Sequence, residues 1–313
     1  MQNANDNHSQ LRSLAEGPWF WTVADLRDDS SWRHDWTSSE LSALDRIITS
    51  RLIGMESMEG DRSVSTLRMG IQRASASLLE GRGLFLFRGL DTYSYETNDL
   101  ETMLVALASQ FGSIAPQNLV GDTVRRVVDR SRLAASSPAA QGHRGNAGML
   151  PHSDSADLVG LLCVRSAKNG GASKISSAGA VFKRLVDNHV ELIDPLLTGF
   201  YFDMSGKNHR GVSSNPIPVF QAESDQLTCY YNRNRIIMGS QKAGVQLSEV
   251  ELRTVERVAT LALAADLSLT LMLQPGDLLL LNNKRILHGR DAYNDWADSD
   301  RKRMLLRVWV NVC

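Results

Sequence analysis

Residues 149–164 read MLPHSDSADLVGLLCV, with His152 and Asp154 separated by one residue just before an apolar run. In an extended chain, residues i and i+2 project to the same face. An imidazole and a carboxylate therefore leave one strand edge side by side and can hold one ion between them. An H-x-D pair by itself occurs in many chains by chance. Its weight here comes from what else the sequence supplies.

Far along the chain, the apolar run LLLLNNKRIL (278–287) ends at His288, 134 residues beyond Asp154. We read LLLLNNKRILHG as one strand whose far end a barrel brings beside His152. Two histidines and one carboxylate on one face form the set that holds non-haem Fe(II) and leaves open positions for a bidentate co-substrate and O₂. A third element is RKRMLLRVWV, where Arg307 stands among Leu305, Leu306, Val308 and Trp309. An arginine in such surroundings is costly unless a negative partner is present. Either Arg303 and Arg307 line a solvent face by alternation, or a guanidinium fork there receives the carboxylate of a co-substrate.

The bulk composition narrows the class. The chain has 313 residues, a formal net charge of −1 and 42% hydrophobic residues. That length suits two average domains or one large α/β or β-barrel domain. The near-neutral balance gives no reason to expect nucleic acid or an anionic membrane as partner. Cys163, Cys229 and Cys313 form no CxxC pair and are odd in number, which disfavours a disulfide framework or a cysteine zinc site. The opening MQNANDNHSQ lacks the apolar region of a secretory signal. The longest apolar region (260–281) is broken by Asp266, Ser268 and the QPGD turn, so it does not read as a membrane span. The expected setting is a reducing cytoplasm.

Residues 1–16 read as a loose tail and 17–313 as one domain. TSSELSALDRIITSRL (37–52) opens with a helix-capping pattern and spaces Leu41, Leu44, Ile47 and Ile48 along one helical face. Helices are also expected at 64–80, 97–110 and 248–265, and a buried strand at 83–90 (GLFLFRGL). Residues 131–148 are small, polar and turn-rich, as in a lid-like loop or a surface insertion. Strands are expected at 157–166, at the start of GGASKISSAGAVFKRLVDN (170–188), and at 197–204, 219–223 and 227–236. DLSLTLML (266–273) alternates its leucines as a half-buried strand does, and 301–312 closes the set. Many short strands joined by tight turns point to an antiparallel sandwich or barrel with helices outside.

In this order, His152-x-Asp154, GGAS, PGDLLLLNNKRILHGR and RMLLRVWV resemble the taurine dioxygenase-like (TauD/TfdA) Fe(II)/2-oxoglutarate oxygenases, over most of the chain. The resemblance implies an α+β fold with a double-stranded β-helix (jelly-roll, cupin-like) core and flanking helices. It implies iron held by His152, Asp154 and His288, chelated by the keto and C1-carboxylate oxygens of 2-oxoglutarate. The family's R-x-x-x-R pair matches Arg303 and Arg307. Arg307 is expected to meet the C5-carboxylate, with Arg303 nearer the C1-carboxylate or the substrate. Ser173 stands where the family usually has threonine, keeping the hydroxyl and losing the methyl group.

The implied reaction consumes O₂, decarboxylates 2-oxoglutarate to succinate and CO₂, and hydroxylates an unactivated C–H bond of a small-molecule metabolite or natural-product intermediate. Desaturation, cyclisation and epoxidation are neighbouring outcomes. The carboxylate of Asp154 disfavours halogenation, because halogenating relatives have a small residue there. Substrate contacts are expected from Gln117 and Asn118 and, on or beside a strand, from Tyr231, Asn232 and Arg233. Asn282 and Asn283 either orient His288 or satisfy backbone groups at a strand irregularity. His189 and His209 are expected to be structural or at the surface. Two rivals use the same ligands without oxygenase chemistry: a structural zinc site and a ligand-binding barrel. A homo-oligomer is left open.

Overall fold

The computed structural model describes residues 17–50, 62–129, 146–205, 210–223 and 226–312. The tail at 1–16, most of the loop at 131–148 and His209 lie outside the described residues.

In chain order the elements begin with α1 (Val23–Asp28), β1 (Arg33–Asp35), α2 (Ser38–Ser50), α3 (Arg62–Leu79), β2 (Leu84–Arg88) and α4 (Thr97–Ala108). Next come β3 (Ser113–Ala115), β4 (Val124–Val128), β5 (Met149–His152), β6 (Leu158–Arg165), β7 (Asn169–Gly170), β8 (Ser173–Ser177), α5 (Ala178–Asn188) and α6 (Ile193–Thr198). The last group is β9 (Phe220–Glu223), β10 (Gln226–Cys229), α7 (Arg233–Lys242), α8 (Glu249–Ala262), β11 (Ser268–Leu271), β12 (Leu278–Asn282), β13 (Ile286–Arg290), β14 (Tyr293–Asn294) and β15 (Met304–Asn311).

Most strands sort into two sheets that share a core, with β9–β10 and β7–β14 as two separate two-stranded pairs. The larger runs β1-β2-β12-β6-β15-β3, with β4 also paired to β15; the smaller runs β11-β8-β13-β5. In β12 every residue is buried, because both faces of the larger sheet are covered. Leu278 and Leu280 point outward to α2, α3 and α4, joining Leu44, Ile47, Leu67 and Leu104. Leu279 and Leu281 point inward and meet Ile175 of β8 and Ile286 of β13. Burying one such leucine is worth about 1.5–3 kcal/mol. The outer face of the smaller sheet is covered by α5 and α8, where Leu287 packs with Phe182, Leu185, Val255 and Val258.

Three strand expectations need correction. LLLLNNKRILHG is two strands: β12 lies in the larger sheet and β13 in the smaller. The chain crosses between them in a turn at 283–285. Polar residues hold that crossing. Asn282 donates Nδ2–H to Leu78 O at 3.0 Å, and its Oδ1 accepts from Lys284 N–H at 3.0 Å. The strand expected over 227–236 ends at Cys229, and α7 starts at Arg233. Asn232 caps that helix, its Oδ1 accepting from Arg235 N–H at 3.1 Å. This is the N-cap preference of asparagine, which the strand reading overlooked. Of residues 197–204, the first two end α6 and the rest form only isolated bridges, Phe200 with Ile217 and Asp203 with Val212. Among the described residues, no helix is long and apolar enough to cross a membrane.

Candidate metal centre

The strand register builds the site. β13 pairs antiparallel with β5, and His288 lies directly opposite His152. Cross-strand partners share a face, and the two rings are 4.5 Å apart between centroids. Asp154, two residues past His152, completes a cluster whose ligand atoms lie within 4.8 Å of one another. The His152 Nε2 is 3.8 Å from Asp154 Oδ1, and the His288 Nε2 is 3.9 Å from Oδ2. Both separations are too long for hydrogen bonds. They suit ligand atoms spaced around a shared point.

Protonation favours the same use. The Nδ1 of His152 lies 3.0 Å from Leu150 O. A carbonyl only accepts, so Nδ1 donates there and Nε2 is the ring nitrogen turned toward Asp154. Burial, with His152 alongside, pushes His288 down to about 3, so its imidazole is neutral at pH 7. Burial also works against ionising Asp154. The Arg307 guanidinium, with the Trp309 N–H, outweighs it and holds the carboxyl well below the usual range. An ionised carboxylate and a neutral imidazole are ligands a divalent metal binds, and the Nε2 of His152 faces the same point. Among the described residues no further His, Cys, Asp or Glu joins the cluster. The set is therefore too small for a closed structural zinc site and fits non-haem iron with positions left open.

The surroundings hold the carboxylate in place. Trp309 donates Nε1–H to Asp154 Oδ2 at 2.9 Å, and Arg307 Nη1 is 3.4 Å from the same oxygen. Asn283 accepts from Asp154 N–H at 3.3 Å and donates to Ala156 O at 2.9 Å. Asn283 thus secures the backbone after the H-x-D pair, while Asn282 ties the crossing to α3; neither bonds His288.

Arg307 is largely buried, which removes the solvent-face reading. Its Nε donates to Gln117 Oε1 at 2.8 Å, and Gln117 Nε2 donates back to Arg307 O at 2.7 Å. Gln117 is thereby a holder of Arg307. Asn118 closes a turn, accepting from Val120 N–H and Asp122 N–H and donating to the Asp122 carboxylate. Arg233 is paired with Glu256.

Arg303 sits elsewhere. It is 5% exposed, with its guanidinium 5.2 Å from the centre of the Tyr293 ring. Arg290 lies over the same ring at 4.5 Å. Burial weakens the charged form of both arginines, and Arg303 adds to the effect at Arg290. Among the described residues, no carboxylate is within ion-pair distance of Arg303. A side chain on Gly171 would lie 3.4 Å from Arg303 Nε and from Tyr293 Cβ, so Gly171 borders this corner. Buried Ser173 is nearby in register, opposite Arg290. Trp309 and Tyr293 were not singled out from sequence. The signal for Trp309 was present: it lies two residues beyond Arg307, hence on the same face of β15.

Residues 51–309 match the model of the taurine catabolism dioxygenase TauD, TfdA family. The chain belongs to that family. It is a non-haem iron, 2-oxoglutarate-dependent dioxygenase, and His152, Asp154 and His288 fit its iron site. FR-33289 synthase of Streptomyces rubellomurinus is 28% identical over 96% of this chain and 91% of that protein. An asparagine oxygenase in complex with Fe(II), 2S,3S-3-hydroxyasparagine and succinate superposes with a TM-score of 0.69 at 17% identity, covering 90% of this chain and 93% of that one. The non-haem iron oxygenase OrfP in complex with Fe and alpha-ketoglutaric acid gives a TM-score of 0.63 at 15% identity, covering 89% and 93%. The mixed helices and sheets are thus those of a TauD-like oxygenase.

Proposed function

We propose that this chain hydroxylates an unactivated C–H bond of a small-molecule metabolite or natural-product intermediate, with 2-oxoglutarate converted to succinate and CO₂. The observation that carries this reading is the face shared by His152, His288 and Asp154, together with the buried Arg303, which has no carboxylate partner among the described residues. With O₂ and 2-oxoglutarate, bound iron supplies the oxidising power that breaks the C–H bond. The protein's part is to hold the ligands, orient both substrates and exclude water. Trp309 and Arg307 engage one oxygen of Asp154, which leaves the other for single-oxygen ligation. The carboxylate of Asp154 occupies the position a halide would need. Asparagine oxygenase, with a hydroxylated amino acid and succinate bound, is a relative in fold whose chemistry is of this kind. We read the two sheets as the walls of a double-stranded β-helix and residues 17–313 as one catalytic domain.

The geometry favours exchanging the roles first expected of the two arginines. Arg307 is already engaged by Asp154 and Gln117 beside the metal ligands. Arg303 has a buried guanidinium over the Tyr293 ring, with no carboxylate of the described residues within ion-pair distance, in a corner bordered by Gly171. A buried cation of this kind calls for an anion. Arg303, with Ser173 as hydroxyl donor, is therefore assigned to the C5-carboxylate of 2-oxoglutarate, and Arg307 to the side nearer the substrate.

The test is anaerobic titration of the Fe(II) protein with 2-oxoglutarate, read by the visible charge-transfer band. The wild-type protein forms the band. Arg303→Gln raises the half-saturating 2-oxoglutarate concentration by about tenfold or more, as loss of a charge-assisted pair requires. If Arg307→Gln shows that shift and Arg303→Gln does not, the original order stands. Absence of the band in the wild-type protein, with no 2-oxoglutarate-dependent succinate formation, overturns the function.

A further inference from the structure

Arg303 is held at its backbone by a carboxylate that does not pair with its guanidinium. Asp295 directly follows β14, and Arg303 directly precedes β15. Asp295 Oδ1 accepts from Arg303 N–H at 2.9 Å and from Trp296 N–H at 3.0 Å. One oxygen thus closes the excursion between the two strands, which contains a short 3-10 helix at Ser299–Arg301. The other oxygen, Oδ2, is shut off from solvent and has no hydrogen-bond donor among the described residues. Such an oxygen is uncommon, because lost hydration without a replacement is costly.

Anchoring the backbone does not call for a charge. An amide or hydroxyl oxygen accepts N–H groups as well. What the carboxylate adds is negative charge beside the arginine corner. Burial weighs most against the charged form of Arg303, while Tyr293, Cys163 and Asp295 act in its favour. Burial also pushes the Cys163 thiol up to about 11 and raises the Tyr293 hydroxyl, so both are neutral at pH 7. Asp295 is the carboxylate of the three. Arg290, over the same ring, has Asp129 acting on it in that sense.

An arginine stays charged at pH 7 with or without such help. The consequence therefore falls on the ligand. A negative charge close to Arg303 repels any carboxylate that the guanidinium receives, and does so strongly where water is excluded. On the assignment above, 2-oxoglutarate presents its C5-carboxylate there. Succinate keeps that same carboxylate after C1 leaves as CO₂. It has lost the chelating keto acid, so the distal carboxylate carries a larger share of its hold on the protein.

We propose that Asp295 has two effects on Arg303. Its Oδ1 fixes the backbone from which the guanidinium projects, and its charge weakens the hold of that guanidinium on dicarboxylates, so that succinate leaves after turnover. Asp295 is a positioning residue that acts through Arg303. The proposal rests on the assignment of Arg303 to 2-oxoglutarate.

The test is anaerobic titration of the Fe(II) protein with 2-oxoglutarate, read by the charge-transfer band, with succinate as competitor. Asp295→Asn keeps an acceptor oxygen and removes the charge. It is expected to lower the half-saturating 2-oxoglutarate concentration by about threefold or more, and the competing succinate concentration by a similar factor. Asp295→Ser, a second neutral acceptor, is expected to act in the same direction and keeps the test open if the amide cannot be housed. Asp295→Ala removes the anchor with the charge and is expected to bind 2-oxoglutarate more weakly than Asp295→Asn. 2-Oxopentanoate lacks the distal carboxylate and is expected to bind wild type and Asp295→Asn equally. Combined with Arg303→Gln, Asp295→Asn is expected to give no gain. A residue that only anchors backbone would give no tighter binding in any variant. Unchanged or weaker 2-oxoglutarate binding by both Asp295→Asn and Asp295→Ser overturns the proposal, as does an equal gain for 2-oxopentanoate. If Arg303→Gln by itself leaves 2-oxoglutarate affinity unchanged, the arginine assignment falls and this proposal with it. If Arg303→Gln weakens binding and neither neutral variant tightens it, this proposal alone falls.

Discussion

Asp154 is met by two imidazoles, a guanidinium and an indole N–H, and its two oxygens are treated differently. Oδ2 takes the Trp309 N–H at 2.9 Å, and Oδ1 is the oxygen nearer His152. Replacing Trp309 by Phe keeps an aromatic ring and removes the donor. The carboxylate then loses the bond that fixes its rotation, and Fe(II) or Co(II) affinity should fall by about tenfold. Anaerobic calorimetric titration checks this, and unchanged affinity would show that Arg307 alone suffices. At this scale the ligands were legible in the sequence, because an i, i+2 pair and a distal histidine are local patterns. The roles of the arginines were not. Arg303 and Arg307 look alike along the chain and differ only in what folding packs against them, Tyr293 in one case and Asp154 with Gln117 in the other. The N-terminal turn of α7 shows the same limit: Arg233 and Arg235 differ by an acidic partner contributed by α8 to one and not to the other.

Helices were easier to read than strand boundaries. The helix expected at 37–52 is observed as α2 over Ser38–Ser50, and the one expected at 97–110 as α4 over Thr97–Ala108. Their apolar spacing is local. The run LLLLNNKRILHG misled because both of its strands are buried, so no change of pattern marks where the chain passes from one sheet to the other. The turn before it is better specified. Gly276 has φ +91°, and a Cβ there would lie 1.9 Å from Leu90 O. Its N–H donates to Cys163 O at 2.8 Å, tying the turn to the end of β6. Gly276→Ala should therefore destabilise the protein by roughly 2 kcal/mol or more, since it adds backbone strain to a clash with main chain. Denaturant unfolding measures this. A loss below about 0.5 kcal/mol would mean that the turn relaxes freely.

Across the whole molecule, the metal centre draws on both sheets. His152 and His288 come from β5 and β13 of the smaller sheet, while Arg307 and Trp309 come from β15 of the larger. A metal that binds only the folded arrangement stabilises it by mass action, by about 2.7 kcal/mol at a hundredfold excess over the dissociation constant. For a chain of this size that corresponds to a rise in melting temperature of roughly 5 °C. Anaerobic thermal unfolding with Co(II) should show this rise in the wild-type protein. His288→Ala should show little of it; an equal rise would place the stabilising ion elsewhere.

The order of residues alone determined that the chain carries a two-histidine, one-carboxylate set, an arginine pair after it, and helices and short strands in a TauD-like sequence. Those properties depend on spacing along the backbone. Only the tertiary structure decided which of Arg303 and Arg307 has no carboxylate of the described residues within ion-pair distance, and which oxygen of Asp154 is held by Trp309. Each of these depends on groups distant in sequence meeting in a region that water has left. There the energy of a charge is set by its neighbours in space and not by its neighbours in the chain.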